Sequence, residues 1–266
     1  MARRVVDRHV LQLIKLWLKA PVEERDGEGR RHLTGGKQSR RGTPQGGVIS
    51  PLLANLYMNR FLKHWRNTGC DVALHGHVIS YADDFVILCR GHAKEAMGWA
   101  KAVMTKLGLT LNETKTKLVD ARTEHFDFLG YQFGPYYSHR TGKRYLGAGP
   151  SKKSMGRFRT RVGEILTPGN LRPWPEVRDR LNALLRGWAA YFSYGTHLHA
   201  YRDADNYVRQ SVRTFLRRRH KVQSRGTRMF SFTEIYGTYG ILCLRRLHLE
   251  PVQPTPAWTE LPNDMR

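Results

Sequence analysis

Cysteine is scarce in this sequence, and long apolar runs are missing from it. The 266 residues include three cysteines, Cys70, Cys89 and Cys243, which lie far apart and form no Cys-x-x-Cys pair. This spacing argues against a zinc ribbon and a disulfide framework, and it favours a reducing compartment. No apolar stretch reaches the length of a membrane span, and the N-terminus lacks the apolar core of a signal peptide. We therefore expect a soluble, cytoplasmic protein without a membrane partner.

Acidic residues are also few. Lys and Arg number 45 against 22 Asp and Glu, which gives a formal net charge of +23. The excess is spread along the chain, with 24 basic and 13 acidic residues in 1–150 and 20 and 7 in 151–250. Such a balance predicts a polyanionic partner, of which nucleic acid is the usual one. A basic field over the whole body suits a long nucleic-acid track better than a single patch.

Two adjacent carboxylates stand in the middle of the segment Val78–Leu88. Apolar and β-branched residues flank Asp83 and Asp84, and this pattern predicts a β-hairpin with the acidic pair at its tip. Because neighbouring carboxylates repel each other, a cation would stabilise the pair, and Mg²⁺ prefers such hard oxygen ligands. Taken alone, the same residues fit an ordinary polar turn between two strands equally well.

Two further segments are candidates for ligand binding. Arg41–Asn55 contains a Pro-Gln-Gly-Gly turn that allows close backbone approach to a ligand, then Ser50 as a helix N-cap and Pro51 at the first helical position. An ordinary helix-entry loop is the alternative, but the acidic hairpin downstream favours a substrate-binding loop. Leu109–Leu111 predicts a short strand, and the polar turn after it holds Lys115, which is either functional or an exposed turn lysine.

Helical periodicity dominates after about residue 150, over 151–166, 175–194 and 198–221, with a shorter helix near 231–236. In the third of these helices an arginine stripe runs beside the apolar face and continues into a basic run. A solvated basic face usually explains such a stripe, but nine basic residues against two acids between 201 and 228 favour phosphate contact. The predicted RNA-binding residues are Arg209, Arg213, Arg217, Arg218, Arg219 and Lys221.

The order of elements predicts an α+β fold with an antiparallel sheet. Strands and helices mix over residues 1–148, an all-α domain follows at 149–247, and 248–266 form a C-terminal tail. Within the first part, Phe126–Phe133 is predicted as one strand and Tyr136–Leu146 as a further hairpin.

These segments, in this order, resemble a group II intron-encoded reverse transcriptase with its maturase domain. Tyr81–Asp84 resembles the catalytic hairpin of the polymerase palm, and Gln45–Asn55 resembles the loop and helix near the incoming nucleotide. Leu109–Lys117 is similar to the next palm motif, and Phe126–Tyr131 to the strand and turn near the primer grip. Leu185–Gly195 and the helices around it resemble the intron-binding maturase ("thumb") domain. The resemblance covers most of the chain.

The resemblance implies an RNA-directed DNA polymerase with a maturase role in RNA splicing, built as a partial palm followed by a maturase domain. It implies that Asp83 and Asp84 bind Mg²⁺ or Mn²⁺, and that Lys115 protonates or neutralises the leaving pyrophosphate. Its implied partners are group II intron RNA, primer DNA and deoxynucleotides. The residues implied to contact the nucleotide or template are Gln45, Gly46, Gly47 and Tyr81.

The N-terminus departs from the family pattern. Family members carry fingers and an earlier palm strand before the helix predicted at 5–19, and that strand supplies another metal-binding aspartate. Asp7 lies on the opening helix and is not its equivalent. We therefore expect a truncated, catalytically impaired polymerase that needs a missing N-terminal segment, in cis or in trans. The alternative is an intron RNA-binding splicing maturase without polymerase activity. A generic basic DNA-binding protein would leave the acidic hairpin without a role.

Overall fold

The computed structural model describes residues 5–25, 27, 30–35, 47–138 and 140–247. Helices combine there with small antiparallel sheets, which confirms the predicted α+β class and the helical second half. The chain divides into two compact units, Met1–Leu118 and Val119–Arg266. None of the helices in the described ranges is both long enough and apolar enough to span a membrane.

The first unit contains two separate antiparallel hairpins among its helices. Asp7 caps the first helix, because its Oδ1 accepts hydrogen bonds from the backbone N–H groups of His9 at 2.7 Å and Val10 at 3.1 Å. The predicted N-cap at Ser50 is wrong by one position, since Ile49 precedes the helix and Ser50 is its first residue. The elements are α1 (Arg8–Lys19), β1 (Pro21–Arg25), β2 (Arg31–Gly35), α2 (Ser50–Asn67), α3 (Cys70–Ala73), β3 (Gly76–Tyr81), β4 (Asp84–Cys89) and α4 (Ala93–Lys106).

The core of this unit forms where α2 and α4 meet the β3–β4 hairpin. Phe61 of α2 is fully buried, and its ring lies 5.4 Å from that of Trp99 on α4 and 5.2 Å from that of Phe85 on β4. Trp65 packs edge-on against Trp99 at 5.0 Å. Such aromatic pairs add about 0.5–1.5 kcal/mol each beyond the burial of their area. The hairpin is thus anchored by its inner face.

The second unit begins with a three-stranded antiparallel sheet in the order β5-β6-β7 and continues with helices. The Tyr191 hydroxyl donates to the carbonyl of Leu129 at 2.7 Å, which ties a helix to the turn between the first two strands. Ser151 caps the first helix by accepting from the backbone N–H of Ser154. The elements are β5 (Phe126–Phe128), β6 (Tyr131–Tyr137), β7 (Arg144–Pro150), α5 (Lys152–Ile165), α6 (Trp174–Tyr191), α7 (Leu198–Arg219), α8 (Phe232–Tyr236) and α9 (Leu244–Leu247).

One large apolar core holds the helices of the second unit together. It receives the apolar faces of α5, α6 and α7, as their 3.6-residue periodicity predicts, and the segment after α7 closes it. Its largest fully buried side chains are Phe158, Val162, Val177, Leu181, Leu185, Val208, Val212, Leu216, Phe230, Ile235 and Leu244.

A buried carboxylate fastens the last described segment to α7. Asp205 is 2% exposed and accepts hydrogen bonds from the backbone N–H groups of Leu244 at 2.8 Å and Arg245 at 3.3 Å, and from Arg245 Nε at 3.2 Å. The Cys243 thiol also donates to it, at 3.3 Å. Burial, and then the charge of Asp205, raises the pKa of this thiol, so it stays protonated and able to donate.

Two expectations about the elements differ from the structure. Leu109–Leu111 is irregular and not a strand, so that prediction is wrong. Residues 126–133 form two strands, because Leu129 and Gly130 adopt positive φ angles of 49° and 78° that turn the chain back on itself. The chain divides into its compact units after Leu118, which groups the three-stranded sheet with the helices that follow it, and the predicted domain boundary at 148/149 stays a prediction. The predicted tail at 248–266 lies outside the described residues.

Candidate functional site

The acidic pair lies at the tip of the β3–β4 hairpin, but the loop begins one residue before the predicted one, so Asp83 is in the loop and Asp84 is the first residue of β4. Tyr81 pairs with Asp84 across the strands, which leaves a two-residue loop made of Ala82 and Asp83. Ala82 has a φ of 53°, in the left-handed region that two-residue hairpin loops require at their first position. The backbone therefore fixes where both carboxylates leave the hairpin.

The two faces of this hairpin have different surroundings. Val78, Phe85 and Ile87 pack against the core cluster that contains Met58 and Phe61. The opposite face carries Tyr81, Ile79 and Leu88, which are 65%, 46% and 44% exposed. The tip is thus supported by a rigid core from one side and is open to a ligand on the other.

Asp83 and Asp84 are both exposed. Across the ranges that the structure describes, neither carboxylate makes a hydrogen bond or an ion pair with another residue. A structural turn carboxylate usually accepts a backbone hydrogen bond, as Asp120 does from the N–H of Arg122 at 3.0 Å. The oxygens at the hairpin tip are therefore available to a ligand from outside the chain.

The donor set at the tip fits a magnesium ion in part. Mg²⁺ prefers carboxylate oxygens, commonly takes one or two of them, and completes its shell with water and substrate phosphates. Of the described residues, no group of three or more His, Cys, Asp or Glu side chains is arranged to hold a metal ion. Asp7 is committed to capping α1 and contributes no ligand here. Asp83 and Asp84 would therefore supply only part of a ligand set.

The glycine-rich loop is described only at its end. Gly47 accepts a hydrogen bond at its carbonyl from the N–H of Ser50 at 2.9 Å, which tightens the turn into α2. Val48 projects from this turn and is 92% exposed. Gln45 and Gly46 lie outside the described residues, so their predicted contacts with the nucleotide and template stay predictions.

Lys115 lies in a turn that Asn112 organises. The Asn112 side-chain oxygen accepts from the backbone N–H groups of Thr114 at 3.1 Å and Lys115 at 3.2 Å. Leu111, just before the turn, belongs to the apolar cluster beneath the hairpin. The Lys115 side chain is exposed and makes no contact with Asp83 or Asp84 among the described interactions.

The predicted arginine stripe on α7 is largely engaged within the protein. Arg213 donates from Nε to the carbonyl of Phe230 at 3.1 Å, and Arg209 reaches the side-chain oxygen of Asn206 at 3.4 Å. The aliphatic part of the Arg217 side chain lies beside Gly226, where a Cβ built on the glycine would be 3.7 Å from Arg217 Cγ. All three are partly buried, because the segment after α7 folds back along this side of the helix.

The remaining predicted RNA-binding residues are exposed. Arg218 and Lys221 are open to solvent. Arg219 donates to the carbonyl of Arg172 at 2.8 Å and lies 5.9 Å from the ring centre of Phe215, so part of its side chain is held in place. A polyanion could meet all three without displacing the core.

The sequence reasoning missed a second basic surface, on α5. Five exposed cations precede its single acidic residue, Glu164. Arg159 also lies 5.6 Å from the ring centre of Tyr207 and thus leans on α7. The density of cations in this one helix was the available signal. These residues are Lys152, Lys153, Arg157, Arg159 and Arg161.

Comparison with protein families assigns a class to each part of the chain. The family model described as reverse transcriptase (RNA-dependent DNA polymerase) matches residues 2–133, which include the acidic hairpin and the Lys115 turn. The family model described as group II intron, maturase-specific domain, matches residues 155–231, which include α7 and most of α5. The chain therefore belongs to the group II intron-encoded reverse transcriptase/maturase family. The search of curated proteins returned no match.

The predicted family and its intron-encoded character are thereby confirmed. Both matches occur in the predicted order, with the polymerase part ahead of the maturase part. The maturase-specific match implies binding of intron RNA. The individual site residues stay predictions.

Proposed function

We propose that the first unit contributes the metal-binding hairpin of an RNA-directed DNA polymerase. The observation that carries the proposal is the hairpin tip, where two exposed carboxylates without a partner among the described residues project from a strained loop on a packed core. This segment lies within the reverse transcriptase match. The reaction would be nucleotidyl transfer from a deoxynucleotide to the 3′-hydroxyl of a DNA primer on an RNA template.

The residues have distinct tasks in this proposal. Asp83 and Asp84 would hold Mg²⁺ or Mn²⁺, which when bound stabilises negative charge on the reacting phosphate. Tyr81, the cross-strand neighbour of Asp84 and largely exposed, would contact the primer end. Lys115 would neutralise or protonate the pyrophosphate as it leaves. Gln45 and the backbone of Gly46 and Gly47 would line the nucleotide and template.

Primer extension on an RNA template tests the hairpin directly. We expect any Mg²⁺- or Mn²⁺-dependent extension to fall to the EDTA background in Asp83→Asn, because the substitution keeps the shape but removes the anionic ligand. Asp71→Asn is the matched control, since Asp71 lies in the same unit and outside the hairpin. Extension that survives in Asp83→Asn would overturn the proposed role of the tip.

A second candidate function is splicing-related binding of intron RNA without polymerisation. The observation that favours it is the set of exposed cations on α5 and α7, most of which lie within the maturase-specific match. Salt-sensitive binding of group II intron RNA by the chain, with no extension by the unaltered protein, would select this candidate. Extension abolished by Asp83→Asn would select the first.

The proposed compartment is the cytoplasm. Cys70, Cys89 and Cys243 are free thiols, and free thiols persist where the environment is reducing. Quantitative thiol labelling of the native protein from cells would test this, because oxidised cysteines would contradict it.

A further inference from the structure

A cleft of about 320 Å³ lies between the C-terminal end of α5 and the outer side of α7. Leu166 and Phe215, 8% and 5% exposed, form its buried floor, and the ring of Tyr207 lines one wall. Gln210, at the rim, is exposed. The cleft therefore has an apolar floor and a polar rim. Binding sites for small molecules are commonly lined in this way, by apolar side chains with a few polar groups.

The polar rim has unused hydrogen-bonding capacity. Gln210, Thr214 and Arg218 follow one another at four-residue spacing along α7, so they form one row. Within the described part of the chain, their side chains make no hydrogen bond or ion pair. The row offers an amide that both donates and accepts, a hydroxyl and a guanidinium.

The charges around the cleft are suited to an anion. On the α5 side, Arg159 is exposed one turn before Gly163, which lines the cleft, and lies against Tyr207. On the α7 side, Arg218 lines the cleft and Arg219 lies beside Phe215. Glu164 is the acidic residue nearest in sequence to the α5 lining. A ligand with an apolar ring and a phosphate would meet complementary groups in both parts.

We propose that this cleft binds one unpaired nucleotide of an RNA strand, with the base over the apolar floor, the base edge on Gln210 and Thr214, and the phosphate near Arg218. The inference rests on the proposed RNA binding by this unit and locates one contact within it. Unpaired bases are the parts of RNA whose ring faces and edges a protein side chain can reach, and apolar or aromatic side chains are their usual platform.

Gly163 provides a test that alters the cleft without altering charge. It lines the cleft from α5, and a Cβ built on it meets no atom within 4 Å. Gly156, two turns earlier on α5, has equally open space around its Cβ position but lies outside the cleft. Leucine at either position should be accommodated and should favour the helix, because glycine is a poor helix former.

The experiment measures the affinity of the full chain for a labelled single-stranded RNA and for a fully paired RNA of the same sequence, by fluorescence anisotropy. We expect Gly163→Leu to weaken single-stranded binding about tenfold, the order of one lost base contact, and to leave duplex binding unchanged. Gly156→Leu should bind both RNAs like the unaltered chain. The slope of log Kd against log salt should fall by no more than about 0.7 in Gly163→Leu, the one phosphate contact near Arg218, and should be unchanged in Gly156→Leu.

Three other outcomes would contradict the proposal. Equal single-stranded binding by Gly163→Leu and the unaltered chain would overturn the cleft while leaving the proposed RNA binding intact. No RNA binding by the unaltered chain would overturn both. A loss seen with single-stranded DNA but not with RNA would overturn the assignment to RNA.

A second pair of variants keeps the test valid if a leucine disturbs α5. Gln210→Ala removes the amide at the rim, whereas Gln223→Ala removes an exposed amide outside the cleft. We expect single-stranded RNA binding to weaken several-fold in the first and not in the second. Circular dichroism melting of all four variants checks that the fold is retained. Equal affinities in the glutamine pair would overturn the proposed contact with the base edge.

Discussion

At the scale of single residues, Ala82 shows how the acidic tip is held. Its φ of 53° lies where an L-residue with a Cβ is disfavoured by roughly 1–2 kcal/mol. The packed inner face of the hairpin compensates for this cost, because Phe85 and Ile87 can reach the core only if the chain turns back at Ala82 and Asp83.

Replacing Ala82 with glycine should relieve the strain. We expect Ala82→Gly to raise the free energy of unfolding by about 0.5 kcal/mol, because glycine adopts positive φ without a steric cost but loses more chain entropy. The matched control is Ala102→Gly in the exposed middle of α4, which should lower it by about 1 kcal/mol. Urea unfolding measures both, and a destabilised Ala82→Gly would contradict the strained conformation.

Some residue-level features follow from the sequence and others do not. The apolar and β-branched runs on either side of Asp83 and Asp84 predict the hairpin and its acidic tip, because such residues favour strands and the acidic pair interrupts them. The positive φ of Ala82 has no such signal, since alanine rarely adopts it. The burial of Arg213 against the carbonyl of Phe230 also escapes prediction, because a distant segment covers that side of α7.

At the scale of secondary-structure elements, Asp205 acts as the clasp that joins α9 to α7. It satisfies N–H groups at the start of α9, which would otherwise be buried without acceptors. The carbonyl of the same residue accepts from the Tyr236 hydroxyl at 3.1 Å, so α8 is tied to the same position. Mainly through burial, the pKa of Tyr236 is raised, which keeps this donor protonated.

Removing the clasp should destabilise the second unit. We expect Asp205→Ala to lower the free energy of unfolding by about 3 kcal/mol, because it leaves buried N–H groups and the Arg245 guanidinium without their acceptor. Asp203→Ala, two positions away and exposed with only a 4.0 Å contact to Arg202, should change it by less than about 0.5 kcal/mol. Similar losses in both variants would argue against the clasp.

Helices were easier to predict than the short strands and turns. α6 and α7 each carry an apolar stripe over at least 18 residues, and this repeated signal sets their position. Leu109–Leu111 offers only three residues, and the Asn112 turn that follows provides the local hydrogen bonds in place of a strand partner. The α5–α7 cleft could not be predicted, because it depends on which helices become neighbours.

At the scale of the whole molecule, the 45 Lys and Arg residues overstate how many cations a polyanion can reach. Arg213 and Arg245 are bound within the protein, and Lys101 and Arg178 are paired with Glu113 and Asp179. RNA binding should therefore depend on particular exposed cations more than on net charge.

Salt titration can distinguish RNA binding that depends on particular exposed cations from RNA binding that depends on net charge. We expect Arg218→Gln with Lys221→Gln to reduce the slope of log Kd against log salt by about 1.4, from two lost contacts to single-stranded RNA at about 0.7 each. Lys101→Gln with Arg178→Gln removes the same net charge from cations that already have partners, and should change the slope much less. Equal slopes in the two double variants would instead indicate that RNA binding depends on the net charge of the protein.

Substitutions on the two sides of α7 would also have different consequences for natural selection. A substitution at Arg213 would remove its bond to the backbone of Phe230 and would lower the amount of folded protein, whatever RNA is present. A substitution at Arg218 or Gln210, which line the cleft and make no hydrogen bond within the described part of the chain, would leave the fold in place and, in the proposed binding mode, alter which RNA is held. Lineages that change their intron could therefore diverge rapidly along one side of this helix while the other side, five or fewer residues away in sequence, hardly changes.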